Sequence, residues 1–322
     1  MAQAATYPKS QRPTAPLFAR IVGVNSMMQA RDAVWGYVFL LPWLVGCIVF
    51  FLGPILLSFI LSFTQYDVIS APIFIGLANY KVAFFSDKLF WPSILRTLEY
   101  SGVVVPVALI GALILASLLN RGVRGTNIFR ASFFVPTLTP AVALVVVWAW
   151  LLEPTVGPVN FGLKLIGITG PIWLNSPQWA LLSIILINLW ASMGGNAMLI
   201  FLAGLQGVPQ ELYEAADLDG AGGWARFRHV TFPMISPTFF FNLVLGVIGA
   251  LKVFTTAFVA TQGGPNYATW FFALHIYQQA FAFFKMGYGS ALAWVFVIMV
   301  LIFTYIQLIV SRRWVYYAGG EG

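Results

Sequence analysis

The chain has 322 residues, of which 60% are hydrophobic and 8% charged, and its formal net charge is +7. Soluble domains carry about 25% charged residues, so this composition leaves too little charge for a water-facing surface and excludes an ordinary soluble enzyme or binding module. The positive balance does not mark a nucleic-acid binder either, because the basic residues are scattered between apolar segments rather than gathered in a patch.

Residues 1–33 contain Lys9, Arg12, Arg20 and Arg31 and no apolar run long enough for a signal-peptide core. The first apolar segment is too long for a cleaved signal and no Ala-x-Ala-type site follows it, so it is expected to stay as an anchor. A membrane-crossing helix needs about 20 mostly apolar residues. Stretches that qualify lie near Val34–Phe63, Leu98–Leu119, Ile128–Leu152, Trp179–Leu202, Pro233–Ala260 and Tyr288–Val310. The expected fold is therefore all-α and integral to a membrane, with six core transmembrane helices. It divides into an N-terminal tail (1–33), a transmembrane domain (34–311) and a C-terminal tail (312–322). Pro42 and Pro54 are tolerable in the first span and bend it. Cys47 lies in the same run and is a packing residue. A weaker apolar run, Trp270–Phe284, is broken by His275, Gln278 and Gln279 and reads as an external or interfacial helix.

Lys and Arg accumulate on the cytoplasmic side of membrane proteins. With the N-terminus inside, eleven of the 17 basic residues fall in inner segments, among them Arg121, Arg124, Arg130, Arg226, Arg228, Arg312 and Arg313, and five fall in outer ones. Both termini are thus expected in the cytoplasm. Trp91, Trp148, Trp150, Trp173, Trp179 and Trp314 lie near span ends, as an interfacial aromatic belt requires. No internal repeat of the kind found in inverted-repeat secondary transporters is visible.

The stretch Glu211–Phe227 lies between the fourth and fifth spans and holds four of the ten acidic residues. Pro209 suits the first turn of a helix. Glu211, Glu214 and Asp217 follow at spacings of three, with the first two near the positive helix start. Gly220, Gly222 and Gly223 stop that helix. A second short one is expected from Trp224 to about Val230, carrying Arg226, Arg228 and His229, after which Pro233 opens the next span. The result is a two-helix knob with a glycine elbow. A solvated loop is one reading of it. Ala215 and Ala216, which permit close approach of another surface, and the acidic and basic halves, which suit registration on a charged partner, favour docking.

Polar residues inside spans are costly and line a cavity or pack between helices. Span four holds Asn188, Ser192 and Asn196 at spacings of four, and span five holds Asn242, Lys252, Thr255 and Thr256. Substrate contact and helix–helix hydrogen bonding stand level for the span-four residues. Lys252 sits well inside its span, as a substrate contact or as the partner of Glu153 or a backbone carbonyl. Tyr277 and Tyr288 are candidate aromatic platforms for a sugar. His229 and His275 are isolated from other ligand-type residues, so no metal site is expected. No catalytic cluster and no Gly-x-x-x-x-Gly-Lys-Ser/Thr loop is present, so the chain is not expected to be an enzyme or to hydrolyse ATP. A self-sufficient channel or ion-coupled transporter would need acids within the membrane, whereas Glu99 and Glu153 lie at span ends.

The segment "ELYEAADLDGAGGWARFRHVTFPMISP" resembles the EAA loop of permease subunits in bacterial ABC importers, with Glu214, Ala215, Ala216, Asp219, Gly220 and Pro233 matching position by position. The Asp219–Ala221 triplet is similar to that of carbohydrate-type permeases. "FLLPWLVGCIVFFLGPILLSFILSF", "FIGLANYKVAFFSDKLFWPSILRTLEY" and "FVATQGGPNYAT" resemble that family's first helix, first external loop and the segment after its fifth helix. The resemblance implies that the loop (209–232) docks on an ATP-binding subunit through Glu211, Glu214, Ala215, Ala216, Asp219 and Gly220, with Glu214 meeting a basic residue there. It also implies a second homologous permease subunit, two ATP-binding subunits using ATP and Mg, an extracytoplasmic solute-binding protein, and a place in the bacterial cytoplasmic membrane among its lipids. The chain itself would need no cofactor. The implied cargo is a di- or oligosaccharide moved by alternating access along a pathway with Asn188, Ser192, Asn196, Asn242, Lys252, Thr255 and Tyr277. The family often has a neutral polar residue near position 252, so a lysine there points to an acidic sugar or a glycerol-phosphate-like polyol as the alternative.

Overall fold

A computed structural model describes residues 27–122 and 125–316 of the chain. Lys9, Arg12, Arg20 and Arg124, part of the basis for the expected orientation, lie outside the described residues, as does most of both tails. Contacts divide the chain into two compact units, Met1–Ile60 and Leu61–Gly322.

The first unit is a long apolar helix, α1 (Met27–Cys47), which passes through a wide π turn at Ile48–Leu52 into α2 (Gly53–Leu61). Pro42 sits within α1, and the wide turn ends at Leu52, two residues before Pro54. A proline ring clashes with the carbonyl four residues earlier, here Phe50, and widening the helix at that carbonyl relieves the clash.

The second unit opens with a two-residue hairpin, β1 (Thr64–Gln65) and β2 (Ile73–Phe74), paired antiparallel with Thr64 opposite Phe74. Asn79, on the short helix α3 (Ala78–Lys81), donates to the Ser62 and Thr64 carbonyls at 2.9 and 2.8 Å and pins the hairpin. The central element is α4 (Phe90–Leu119), 30 residues long. At 1.5 Å per residue it measures about 45 Å, longer than a bilayer's ~30 Å hydrocarbon core. Its residues Thr97, Tyr100, Val104, Leu109, Ala112 and Ala116 recur at three- to five-residue steps and are buried, while Val103, Val107, Ile110, Ile114 and Leu118 form the exposed stripe. The buried face packs on the fourth and fifth apolar spans around Ile184, Met198, Phe201 and Ile235.

Among the described residues four helices are long and apolar enough to cross a membrane, or six if each of two bent pairs is counted as one span. Two stretches expected as single helices are pairs: α5 (Thr126–Leu138) with α6 (Ala141–Leu151), bent by 97°, and α8 (Ala180–Met193) with α9 (Asn196–Gln206), bent by 41°. The first break falls at Thr139–Pro140, where proline forbids the helical bond. The second falls at Gly194–Gly195. A Cβ on Gly194 would lie 2.2 Å from the Phe133 carbonyl oxygen, so this break exists only because two backbones touch where no side chain fits. Between the pairs lies α7 (Pro158–Leu165).

After α9 come α10 (Gln210–Leu218), α11 (Gly223–Arg226), a wide turn at Phe227–Thr231, and α12 (Phe232–Leu251). Pro233 was expected to open a new helix. Instead the helix runs unbroken from Gly223 to Leu251, because the wide turn again falls at the carbonyl four residues before a proline, that of His229. Lys252–Phe254 then interrupts it before α13 (Thr255–Ala260). The run broken by His275, Gln278 and Gln279 is helical, α14 (Phe272–Tyr277) continuing as a wide turn through Ala282, and too short to span. The chain closes with α15 (Met286–Ser311).

Candidate functional site

Both helix breaks open onto one cavity of about 530 Å³, walled by α4, α5, α6, α8, α9, α12 and α13. Asn188, Ser192, Asn196 and Asn242 all line it, together with Thr137, Thr139 and Thr256. No lining residue is charged. Asn188 donates to the Ile184 carbonyl of its own helix at 2.9 Å and accepts from the Thr256 hydroxyl at 3.1 Å. It therefore clamps α8 to α13 and keeps one N–H free. Asn242 is buried and donates to the Thr238 carbonyl at 3.2 Å. Ser192 is held by the Leu189 carbonyl at 3.4 Å. Asn196 stands exposed at the first position of α9. The wall is a mainly apolar surface with a few amides and hydroxyls, the usual make-up of small-molecule sites.

Three of the residues singled out in the sequence lie elsewhere. Lys252 is exposed in the interruption after α12, not deep within a helix, and does not line the cavity. Thr255 is its neighbour by three residues and is also absent from the lining, where Thr256 stands instead. Tyr277 packs on Phe254 and Phe258, with ring centroids 5.2 Å from each. Thr137 and Thr139 escaped the sequence reading. Their signal was the "PTLTP" run, whose two prolines mark a break inside an apolar stretch.

The glycine elbow has the geometry of a capped turn. Gly220 adopts φ +71°, with the Ala221 amide donating to the Ala216 carbonyl at 2.9 Å and the Gly220 amide to Asp217 at 3.1 Å. This is the Schellman arrangement, and its left-handed position favours glycine. Arg226 donates to Asp217 at 2.6 Å, and the Tyr213 hydroxyl meets that of Thr231 at 3.0 Å. These contacts lash α10 to the long helix. They also give Arg226 a partner that sequence reasoning, attributing it to membrane topology, did not supply. Glu211, Glu214, Ala215, Asp219 and Gly220 are exposed, and Ala216 is half-buried. Leu218 and Trp224 are 91% and 73% exposed on the same knob.

A polar cluster at the other end of α4 is absent from the sequence reading altogether. His275, expected to be isolated, is fully buried. Its Nε2 meets Asp87 at 2.8 Å, and its Nδ1 accepts from the Trp270 indole at 3.1 Å. The indole bond fixes the tautomer, so Nε2–H is the donor to Asp87. Tyr288 and the Leu89 amide also donate to Asp87, and the Phe272 amide donates to Thr97 at 2.9 Å. Burial pushes the Asp87 carboxyl up, but the bonds from Tyr288 and Leu89 and the adjacent His275 outweigh it and hold it below the usual carboxylate range. Burial holds His275 below its ordinary value against the pull of Asp87. Among the described residues no group of three or more His, Cys, Asp or Glu side chains is placed to hold a metal.

The family described as binding-protein-dependent transport system inner membrane component matches residues 105–316. The probable ABC transporter permease protein YesP of Bacillus subtilis is 38% identical over 307 residues, 93% of this chain and 98% of its own length. The trehalose/maltose transport system permease protein MalF of Thermococcus litoralis is 34% identical over 294 residues, covering 90% and 97%. A chain from the crystal structure of a bacterial ABC transporter involved in the import of the acidic polysaccharide alginate has a TM-score of 0.79 at 23% identity, covering 89% of this chain and 98% of that one. At that identity the likeness is one of fold.

Proposed function

The chain belongs to the binding-protein-dependent transport system inner membrane components, and from that premise we propose that it is the membrane subunit of an ATP-driven importer whose cargo is a neutral di- or oligosaccharide. The observation that carries the reading is the unbroken helix from Gly223 to Leu251, with the exposed elbow at one end and Asn242 in the cavity wall near the other. Arg226 and Asn242 are 16 residues apart in sequence, about 24 Å along a helix. A displacement of the elbow is carried to the cavity by a rod rather than dissipated in a loop. An ATP-binding subunit gripping Glu211, Glu214, Ala215, Ala216, Asp219 and Gly220 shifts the population between two openings of the cavity.

In this reading a second, homologous membrane subunit completes the pathway, two ATP-binding subunits supply ATP and Mg chemistry, and a solute-binding protein delivers cargo from outside. This chain needs no cofactor of its own. Both termini lie on the cytoplasmic side. The uncharged lining and the trehalose/maltose role of the Thermococcus relative support a neutral sugar. An acidic cargo would call on Lys252, which lies outside the lining.

Glu214→Lys tests the docking role in the complex co-purified with its ATP-binding subunits and reconstituted in vesicles. Sugar-stimulated ATP hydrolysis and uptake should fall to background while the chain stays inserted. Undiminished uptake refutes the role of the elbow. Uptake of no carbohydrate from a mono- to oligosaccharide panel by the wild-type complex refutes the cargo.

A further inference from the structure

On the side of α4 facing away from the cavity lies an apolar groove of about 510 Å³. One wall is the exposed stripe of α4, Ile110, Ile114 and Leu118, which are 55%, 54% and 49% exposed. The other wall is Trp224, Phe227 and Phe232, the first turns of the rod that leads from the elbow. Arg121, just beyond the end of α4, is part of the lining and is exposed, with no acidic partner among the described residues.

We propose that this groove is a binding site for an anionic phospholipid of the inner leaflet, with an acyl chain along Ile110, Ile114 and Leu118 and the phosphate on the Arg121 guanidinium. Dimensions support it. Ile110 to Arg121 spans about 16 Å of helix, half of the ~30 Å hydrocarbon core, so the groove is one leaflet long. Polarity supports it as well. Arg121 stands at one end with Trp224 in the same lining, the pairing of a cation and an interfacial aromatic that suits headgroup depth. Ser117, the other polar lining residue, has its hydroxyl on the Leu113 carbonyl at 2.7 Å, so the rest of the wall is apolar to its contents. Shape separates lipid from a protein helix. Helices pack in membranes through small residues that let backbones approach. The buried face of α4 has them, in Ala112 and Ala116, whereas this wall is branched and aromatic and leaves a channel suited to a flexible chain. The site stands on its own geometry. Its assignment to the inner leaflet, and its consequence that a lipid wedged against the rod biases the movement of the elbow, rest on the proposed function.

The test is native mass spectrometry of the purified full chain with whatever subunits it carries, delipidated and then titrated with palmitoyl-oleoyl phosphatidylglycerol or palmitoyl-oleoyl phosphatidylcholine. Retention of the first lipid should exceed that of the second about fivefold, the effect of one interfacial cation. Arg121→Gln should abolish the preference, and Arg313→Gln should keep it. No preference in the wild type, an unchanged preference in Arg121→Gln, or an equal loss in Arg313→Gln overturns the site. A photoactivatable residue in place of Ile114, in native membranes, should give an adduct of one phospholipid's mass. Crosslinking to another polypeptide or to a distant part of this chain overturns lipid as the occupant. Failure of sugar uptake would refute the proposed function without touching either result.

Discussion

Removing the Asp87 carboxylate should loosen the chain at the Phe90 end of α4. The carboxylate accepts three hydrogen bonds, a local one from the Leu89 amide and two from His275 and Tyr288, which lie 188 and 201 residues further along the chain. Asp87→Ala leaves all three donors without an acceptor. A buried donor stripped of its partner costs about 1–3 kcal/mol. His275 is fully buried and takes the full penalty, whereas the Asp87 side chain is 12% exposed, so water can reach the other two donors. The expected loss is about 2–4 kcal/mol. Asp87→Asn should lose less, since its amide oxygen still accepts. Acid should weaken the same cluster. Both Asp87 and His275 titrate below their ordinary values in the folded chain, so the unfolded chain binds protons first and stability falls with pH. The histidine contribution begins to go as pH drops through 6.5, the ordinary imidazole value, and is gone below the depressed one. The carboxylate contribution goes below about 3.8. Thermal unfolding of the detergent-purified chain between pH 8 and pH 5 follows the histidine part. Hydrogen exchange over 261–285 should rise first in Asp87→Ala. Wild-type unfolding temperature and exchange in that variant would refute the reasoning.

Two further outcomes follow from the cavity wall. Gly194→Ala puts a methyl 2.2 Å from the Phe133 carbonyl oxygen and should destabilise by about 1–3 kcal/mol through overpacking, whereas Gly102→Ala, where a Cβ meets nothing within 4 Å, should be neutral or better in a thermal-shift comparison. Asn188→Leu and Thr256→Val remove the two halves of the bond between α8 and α13, and their double-mutant cycle should show a coupling of about 0.5–1.5 kcal/mol. Additive effects would show that the pair does not clamp the helices.

The elbow was legible because everything that makes it is local. Acids near a helix start, a glycine at the position that must turn left-handed, and a restart all fall within twenty-odd residues, and the structure places Gly220 at φ +71° where the helix ends. The amides of span four were legible as a stripe, since spacing of four sets one face of a helix, and that face does line the cavity. Lys252 falls in an interruption that hydropathy reads through, and it stands exposed and outside the cavity lining. His275 looked isolated because its partner Asp87 is 188 residues away, and no local pattern encodes a contact of that range.

Composition and hydropathy by themselves determined that this is a helical membrane chain, where its apolar segments lie, and that the charge between the fourth and fifth of them forms a knob. Those properties follow from side-chain transfer energies and from turn chemistry, which act within a few residues. Tertiary structure decided where two spans break, that the breaks share one uncharged cavity, which threonine faces it, and that the knob continues as a rod into the cavity wall. Each of these depends on segments distant in the chain coming close enough for a glycine backbone to touch a carbonyl or an amide to reach a hydroxyl, and packing alone settles which of them meet.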